Sequence, residues 1–167
     1  MKHKISLSDI ETIKNVYNKG TENHGVDINN EYNKRFPKAE YDINIVSSKT
    51  FFCDLNNQEL VDVVKKNIPI KENEYISNIH YINYGVGEKA KPHVDTGASI
   101  RTFIMLLSND FEGGDFYLEE NKIDFQVGEI IEFDATLLHE VKTVTRGNRE
   151  VLVVWLKWNN KNKQSLL

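Results

Sequence analysis

The stretch RTFIMLLSNDFEGGDFYLEENKIDFQVGEIIEFDATLLHEVKTVTRGNREVLVVWLKW, residues 101–158, decides the fold class of this chain. It is rich in β-branched and aromatic residues, in short runs separated by Gly, Asn and Asp, which is typical of successive short strands. Many short strands at close spacing predict a sandwich or a jelly roll. Together with one run upstream, the predicted strands are Tyr75–Tyr84, Arg101–Leu107, Asp115–Leu118, Ile123–Gln126, Glu129–Phe133, Leu138–Val144 and Glu150–Trp158, with hairpin turns at Glu119–Lys122 and Thr145–Asn148.

The residues before this region predict two helices. Ser8–Lys19 has apolar residues at helical spacing, and its first residue forms an S-x-x-E capping-box pattern with Glu11. Asn57–Asn67 is a second amphipathic segment that ends before a proline. The polar, Asn-rich stretch Thr21–Lys38 is predicted to be a loop, and Thr50–Phe52 to start a strand.

The order of these elements predicts an α+β fold that is mainly β. We expect a single domain over residues 1–167, since nothing in the sequence resembles a linker or an internal repeat. Within it, residues 1–74 would form a helical support, 75–158 the β core and 159–167 a polar tail.

The composition excludes several classes of protein. Hydrophobic content is 40%, charged content 28%, net charge −4 and sequence pI about 5.8, which is the balance of a globular domain without a strongly basic face. We therefore expect no nucleic-acid partner and, because no apolar run approaches the ~20 residues of a membrane span, no membrane partner. The only cysteine, Cys53, and an N-terminus without a signal-peptide core predict a cytoplasmic protein. The oligomeric state has no signature in the sequence.

The segment around His93 contains the pattern His-x-Asp, which is completed by Asp95. In an extended segment these two side chains point to the same face, and His139 in a later predicted strand is the best candidate for a third ligand. Two histidines and one carboxylate form a facial triad that leaves open positions on an octahedral iron(II). Taken singly, each residue is more often solvated or hydrogen-bonded within the protein. The remaining histidines have no partner at useful spacing, so we interpret His3 as tail, His24 as loop and His80 as a strand residue of unknown role.

Arg149 lies ten residues beyond His139, just after the predicted turn. A planar guanidinium can bind a carboxylate through two parallel hydrogen bonds. Inside a β-barrel it would be an unpaired charge unless a ligand or an acid paired it. The alternative is a surface ion pair, which we expect for Arg146 at the tip of the turn. Spacing alone does not determine which of the two arginines faces inward.

These motifs together resemble the prolyl 4-hydroxylase group of the Fe(II)/2-oxoglutarate-dependent oxygenases. The segment Asn83–Asp95 (NYGVGEKAKPHVD) is similar to the metal-binding region of that group. Thr102–Leu107, followed by Phe111-Glu112-Gly113-Gly114, resembles its strand and Gly-Gly turn. The His139-Glu140-Val141 segment, Gly147, Arg149 and Trp155 resemble its closing strand pair. The similarity covers about residues 78–158, with several motifs in the same order at the same spacing.

The resemblance implies a double-stranded β-helix, a jelly-roll or cupin-like fold, with N-terminal helices buttressing the larger sheet. It implies iron(II) on His93, Asp95 and His139, and 2-oxoglutarate bound to that iron with its far carboxylate on Arg149. Tyr84 matches a tyrosine that hydrogen-bonds the co-substrate, and Trp155 matches a position that lines the pocket. The implied reaction consumes O2, hydroxylates an unactivated C–H bond and yields succinate and carbon dioxide. Ascorbate is expected as an auxiliary reductant.

The substrate is less defined than the reaction. Ala90 replaces a tyrosine near the peptide groove of the collagen- and plant-type enzymes, and Phe116 replaces a threonine that often follows the Gly-Gly turn. A prolyl residue of a protein or peptide is the leading prediction, and a free amino acid or other small metabolite is the alternative. A non-catalytic β-barrel binding module is an alternative of another class, because this fold hosts many functions. The presence of all three ligand residues and Arg149 favours the enzyme.

Overall fold

A computed structural model describes residues 2–19, 46–95 and 99–159. Two antiparallel sheets face each other, and two helices cover the outer side of the larger sheet. The predicted loop Thr21–Lys38, His24 and all of the polar tail except Asn159 lie outside the described residues. In chain order, the elements are β1 (Lys2–Lys4), α1 (Leu7–Lys19), β2 (Val46–Ser47), β3 (Lys49–Phe52), α2 (Gln58–Asn67), β4 (Glu74–Tyr84), β5 (Lys89–His93), β6 (Arg101–Leu106), β7 (Phe111–Gly113), β8 (Phe116–Leu118), β9 (Asn121–Ile123), β10 (Glu129–Asp134), β11 (His139–Val141), β12 (Val144–Gly147) and β13 (Arg149–Trp158).

The larger sheet has six strands in the order β1-β10-β6-β13-β4-β3, and we call it the major sheet. The smaller one, the minor sheet, has five strands in the order β2-β5-β11-β8-β9, while β12 pairs with β7. All of these pairings are antiparallel. The predicted mainly β fold of α+β order is confirmed by this arrangement.

Strand β13 lies at the centre of the major sheet, between β6 and β4. Because side chains alternate along a strand, its two faces serve different cores. Leu152, Val154 and Leu156 join the cluster that packs against the helices. Val151 and Val153 face the minor sheet, as do Arg149 and Trp155, and belong to the second core between the sheets. One strand therefore fixes the helices on one side and lines the interior on the other.

The helices are held on the major sheet by apolar packing and by one buried polar contact. Ile13 in α1 and Leu60 and Val64 in α2 are almost fully buried. Asp9 of α1 accepts hydrogen bonds from the Asn67 amide (3.0 Å) and the Lys66 ammonium (3.1 Å) of α2. These bonds, with the Asn67 contact first, lower the pKa of Asp9. Neither helix in the described ranges is long and apolar enough to cross a membrane.

Both predicted helices are present, but the start of the first was assigned to the wrong residue. Helix α1 begins at Leu7, and its capping oxygen belongs to Ser6, which accepts from the Asp9 N–H at 3.1 Å. Ser8 already lies inside the helix, where its carbonyl accepts from Thr12. The capping pattern is therefore Ser6-x-x-Asp9, two residues before the predicted one. For α2 the cap is Asn57, whose side chain accepts from the Leu60 N–H.

Several strand boundaries also differ from the prediction. Residues 138–144 form two strands rather than one, because β11 ends at Val141 and β12 starts at Val144. The predicted turn at 145–148 is mostly strand β12, and the chain reverses only at Gly147, where φ is +71°. The other hairpin turn is confined to Glu119 and Glu120, which both have positive φ, so β9 begins at residue 121.

The short strands β1, β2, β5 and β7 were not predicted as strands. His3 in particular is not tail: it lies in β1, pairs with Ile130 of β10 and has its Nε2 3.1 Å from Glu132. Strand pairing with a distant segment determines these elements, and two- to five-residue runs carry too little local pattern to reveal it.

Candidate metal and carboxylate site

Two histidines and one aspartate meet on the inner side of the minor sheet. His93 ends β5, His139 begins β11, and the two are cross-strand partners. Asp95 follows two residues after His93, and its N–H donates to the Ala135 carbonyl. One ligand atom from each of the three side chains lies within 4.8 Å of the others. The predicted set is therefore brought together by strand pairing.

The imidazoles are oriented by main-chain carbonyls. The Nδ1 of His93 lies 2.7 Å from the Lys91 carbonyl, and the Nδ1 of His139 lies 3.0 Å from the Leu137 carbonyl. A carbonyl only accepts, so each Nδ1 carries the proton and each Nε2 presents its lone pair. The Nε2 atoms lie 3.9 Å and 3.6 Å from Asp95 oxygens. Burial, first among the causes, lowers the pKa of His139 and so favours the neutral, ligating form.

The donor set suits a divalent first-row metal. Two neutral imidazoles and one carboxylate on one side would occupy part of an octahedron and leave positions open for further ligands. Histidines whose second nitrogen is tied to a carbonyl are the usual arrangement at such sites. The residues present therefore fit an iron(II) ion.

Asp95 is itself held by two hydrogen bonds from the major sheet. The hydroxyl of Thr102 in β6 and the indole N–H of Trp155 in β13 each donate to its Oδ2 at 2.9 Å. Thr102 is fully buried, and it is the cross-strand partner of Trp155. Trp155, predicted to line the pocket, thus contacts a candidate metal ligand directly. Sequence reasoning placed Thr102 in a strand and gave it no role.

Arg149 begins β13 and is only 2% exposed. Its Nη2 has no hydrogen-bond partner among the described residues. Burial lowers the pKa of Arg149 to about 10, and neighbouring Tyr84 and Asp115 only partly offset this. The Asp115 carboxylate already forms an ion pair with the Lys122 ammonium, 3.0 Å away. The arginine is a buried cation with hydrogen-bonding capacity to spare, as a carboxylate-binding residue requires.

The walls around Arg149 are aromatic. Its guanidinium carbon lies 5.7 Å from the ring centre of Tyr84, its cross-strand partner, and 5.6 Å from that of Phe125. Burial raises the pKa of Tyr84 to about 12, so its hydroxyl stays a hydrogen-bond donor at neutral pH. Cation–π contact offsets part of the cost of burying the charge. Phe125 was not identified from the sequence.

Gly114 makes room for the arginine. Its φ is +64°, and a Cβ built on it would lie 2.8 Å from the Arg149 Cδ and 3.0 Å from Val144. Real side chains do not tolerate such a contact with a buried, close-packed neighbour. Because Gly114 has no side chain, the Arg149 side chain can lie against the Gly-Gly turn.

Aromatic rings connect the two ends of the site. Phe133 and Phe116 lie 4.8 Å and 6.2 Å from the His139 ring, centre to centre. Phe116 in turn contacts Phe125 at 6.0 Å, beside Arg149. The interior between the histidines and the arginine is thus lined by apolar surface, which excludes water and strengthens the few polar interactions within it.

Two further titratable residues, Arg146 and His80, do not belong to the candidate ligand set. Arg146 forms surface ion pairs with Glu112 (2.8 Å) and Asp110 (3.1 Å), as predicted. His80 stacks edge-on against Trp155 at 4.5 Å and against Phe52 at 4.2 Å, outside the three-residue cluster. The structure thus shows that Arg149 faces inward and Arg146 lies on the surface, which spacing in the sequence could not determine.

The fold and the site define a class: jelly-roll proteins with a two-histidine, one-carboxylate group inside the barrel and a buried cation deeper in it. Residues 79–157 match the model of the 2OG-Fe(II) oxygenase superfamily, and this range includes every candidate site residue. Over this range, which is slightly less than half of its length, the chain is similar to that superfamily.

Relatives and solved structures agree with this assignment. A PKHD-type hydroxylase of Prochlorococcus marinus (strain MIT 9515) is 34% identical over 88 residues, which cover 49% of this chain and 38% of that protein. The chain thus spans about two fifths of the length of that relative. Another PKHD-type hydroxylase, from a second strain of Prochlorococcus marinus, is 27% identical over 128 residues, covering 66% of this chain and 58% of that protein.

Two solved structures share the fold. One is a viral collagen prolyl hydroxylase from Paramecium Bursaria Chlorella virus-1 in its 2OG complex, with a TM-score of 0.66 and 17% identity over 93% of this chain and 94% of that one. The other is a Pseudomonas putida prolyl-4-hydroxylase, with a TM-score of 0.66 and 12% identity over 95% and 91% of the two chains. At these identities the similarity establishes the fold, and the predicted double-stranded β-helix is confirmed.

We expect Arg149→Met to stabilise the ligand-free protein. The change removes a buried charge whose Nη2 has no hydrogen-bond partner in the described part of the chain and keeps an apolar stem, so the free energy of unfolding should rise by about 1–3 kcal/mol. Because the folded-state pKa of about 10 lies below the unfolded value, this penalty is present throughout the neutral range and is relieved only above that pH. Urea denaturation at neutral pH measures the gain.

Arg146→Met is the matched control, because Arg146 lies in the same hairpin with its side chain 57% exposed. Its denaturation midpoint should stay where it is in the unmodified protein. A lower midpoint for Arg149→Met than for the unmodified protein would contradict the conclusion that the arginine is under-paired.

Proposed function

We propose that this chain is an Fe(II)- and 2-oxoglutarate-dependent dioxygenase that hydroxylates an unactivated C–H bond. The observation that carries the proposal is the pairing of two features inside one barrel. Nε2 atoms and a carboxylate from His93, Asp95 and His139 converge at one end. Buried Arg149, with an Nη2 that has no partner among the described residues, lies further in. Similarity to the 2OG-Fe(II) oxygenase superfamily over residues 79–157 supports iron(II), 2-oxoglutarate and O2 as the reacting partners.

When bound, iron(II) supplies the oxidising chemistry, in which O2 and 2-oxoglutarate are consumed and succinate and carbon dioxide are released. The histidines and the aspartate hold the metal on rigid strands and leave part of its surroundings open. The Nδ1–H bonds to the Lys91 and Leu137 carbonyls keep both rings from rotating. Apolar walls around His139 keep bulk water from the reacting groups.

Arg149 binds the distal carboxylate of 2-oxoglutarate in this proposal. The desolvation that lowers the pKa of Arg149 becomes an advantage, because an anion arriving in a dry site gains more from the charge than it would at the surface. The Tyr84 hydroxyl, protonated at neutral pH, is a candidate second donor to the same ligand. The dicarboxylate is thereby oriented toward the metal.

The leading substrate is a prolyl residue of a protein or peptide. Support comes from the resemblance to the prolyl 4-hydroxylase group and from the hydroxylase relatives. A free amino acid or small metabolite is the alternative, since Ala90 and Phe116 are both buried and neither offers the side chain of the peptide-acting enzymes. A need for ascorbate and a cytoplasmic location stay predictions, and a nucleic-acid substrate is not expected.

Iron-loaded protein should release succinate from 2-oxoglutarate in the presence of O2, slowly without a prime substrate and faster with an accepted one. His139→Ala removes a metal ligand and should lower the rate by at least about 100-fold. Arg149→Ala should raise the KM for 2-oxoglutarate much more than it lowers kcat. The measurement is succinate quantified by mass spectrometry, with proline-containing peptides and free amino acids added in separate reactions.

Arg146→Ala is the control for the arginine variant and should retain the KM of the unmodified protein. Acceleration by peptides alone supports the prolyl proposal, and acceleration by an amino acid alone supports the alternative. Absence of succinate, combined with absence of a visible charge-transfer band when iron(II) and 2-oxoglutarate are added anaerobically, would contradict the dioxygenase proposal and favour a binding module.

Gly114→Ala should weaken 2-oxoglutarate binding without removing any polar group. The new methyl must displace the Arg149 side chain, so the KM for 2-oxoglutarate should rise by about tenfold, or about 1.4 kcal/mol. Steady-state kinetics with varied 2-oxoglutarate measure the effect.

Gly87→Ala is the matched control, because Gly87 also has positive φ (+86°) but no atom within 4 Å of the added methyl. Both variants carry the same kind of backbone strain, and only one of them meets the arginine. Equal KM increases in the two variants would show that strain, rather than displacement of Arg149, is responsible.

A further inference from the structure

Among the described residues, hydrogen-bond donors reach only one oxygen of the Asp95 carboxylate. Both donors, the Thr102 hydroxyl and the Trp155 indole N–H, reach Oδ2 at 2.9 Å. A carboxylate oxygen has two in-plane lone pairs, so two donors occupy both of them. Oδ1, which lies 3.9 Å from the His93 Nε2, keeps its lone pairs. The two oxygens of this carboxylate therefore differ, because Oδ2 is occupied by two donors and Oδ1 has lone pairs available for a metal.

We propose that Thr102 and Trp155 are positioning residues that hold Asp95 through Oδ2, so that Oδ1 alone binds the metal. This inference rests on the proposed function and deepens it, because it says which protein groups set the geometry of the carboxylate ligand. The two residues do not touch the metal. They act by fixing the rotation of a side chain that would otherwise be free to offer either oxygen or both.

The two donors lie on the two central strands of the major sheet. Thr102 and Trp155 are cross-strand partners at the centre of the major sheet, and Phe133 on the next strand pairs with Thr102. These three residues form one row across the inner face. Phe133 packs against His139, while Thr102 and Trp155 bond Asp95. The row therefore contacts two of the three candidate ligands from beneath.

The strand pair β4–β13 contains a β-bulge beside Trp155. The β4–β13 register shifts there, since Trp155 pairs with Asn78 but Leu156 pairs with Ile76. The extra residue, Ser77, donates its hydroxyl to the Trp155 carbonyl at 3.1 Å. Bulges of this kind re-aim side chains next to functional sites. An indole N–H inside a protein usually finds a hydrogen-bond partner, and beside this bulge the partner of Trp155 is the Asp95 carboxylate.

Burial makes the two hydrogen bonds strong. Thr102 is fully buried, and the Asp95 side chain is 11% exposed. Hydrogen bonds to an ionised carboxylate in such surroundings are worth more than neutral ones in water. Oδ2 already lies 3.6 Å from the His139 Nε2, so without these bonds the carboxylate could offer Oδ2 to the metal as well and change the coordination geometry.

The test is the binding of cobalt(II), used alone as an air-stable substitute for iron(II), to metal-free protein. Trp155→Phe keeps an aromatic ring and removes the N–H, and Thr102→Val keeps the shape and removes the hydroxyl. Each should raise the dissociation constant measured by calorimetry by about 10- to 100-fold. Each should also change the visible absorption bands of the bound cobalt, because the carboxylate is free to bind through a second oxygen.

Two matched variants make the test specific. Thr102→Ser restores the hydroxyl and should bind cobalt(II) within about threefold of the unmodified protein. Trp158→Phe changes the other tryptophan, which is 49% exposed, and should alter neither the affinity nor the spectrum. Urea denaturation of each metal-free variant separates a loss of folding from a loss of metal binding. Should Trp155→Phe fail to fold, the comparison of Thr102→Val with Thr102→Ser decides the question.

The outcomes separate the two proposals. Unchanged affinity and spectrum in Thr102→Val and Trp155→Phe, in a protein that itself binds cobalt(II), overturn the positioning role and leave the proposed function in place. Absence of cobalt(II) binding by the unmodified protein overturns both.

Discussion

The alternation of side chains along β13 is the constraint on which the rest of the structure depends. This strand lies between β6 and β4, and its register is fixed by β4 along its whole length and by β6 over Val151–Leu156. Its outward residues hold the helices, and its inward residues run from Arg149 at one end to Trp155 near the other. A one-residue slip would exchange the two faces and could place Glu150 where the arginine now stands. The spacing between the proposed carboxylate-binding end and the proposed metal end is therefore set by strand geometry rather than by loops.

The site is costly to the fold, and this cost indicates its use. A buried guanidinium with an Nη2 lacking a partner among the described residues, and three close-set metal-ligating groups, would destabilise a protein that had no ligands for them. The surrounding apolar rings increase that cost by lowering the local dielectric constant, and they increase the affinity for an anion and a cation by the same physics. Arg149 lacks an anion, which 2-oxoglutarate would supply. The two histidines and the aspartate lack a cation, which iron(II) would supply.

Sequence reasoning was most successful where a local pattern has a local cause. His93 and Asp95 lie two apart, so any extended backbone turns them toward one side, and α2 has a clear apolar stripe. His139 and Arg149 were selected by motif order, and the structure was needed to show that Arg149 faces inward while Arg146 does not. Thr102, Phe125 and Phe133 were missed because an ordinary threonine or phenylalanine in a strand has no local signature. Their importance comes from cross-strand register and from residues far away in the chain. The cap of α1 was misassigned because two serines, Ser6 and Ser8, compete within one turn.

The central claim is that one metal ion binds between His93, Asp95 and His139, with 2-oxoglutarate extending from it to Arg149. Anomalous diffraction at the iron edge, from crystals grown anaerobically with iron(II) and 2-oxoglutarate, tests this most directly. We expect one anomalous peak within bonding distance of both Nε2 atoms and of Asp95 Oδ1, and density for the distal carboxylate against the arginine. A peak bound by other residues, or no peak at these three side chains in a protein saturated with iron, would contradict the account.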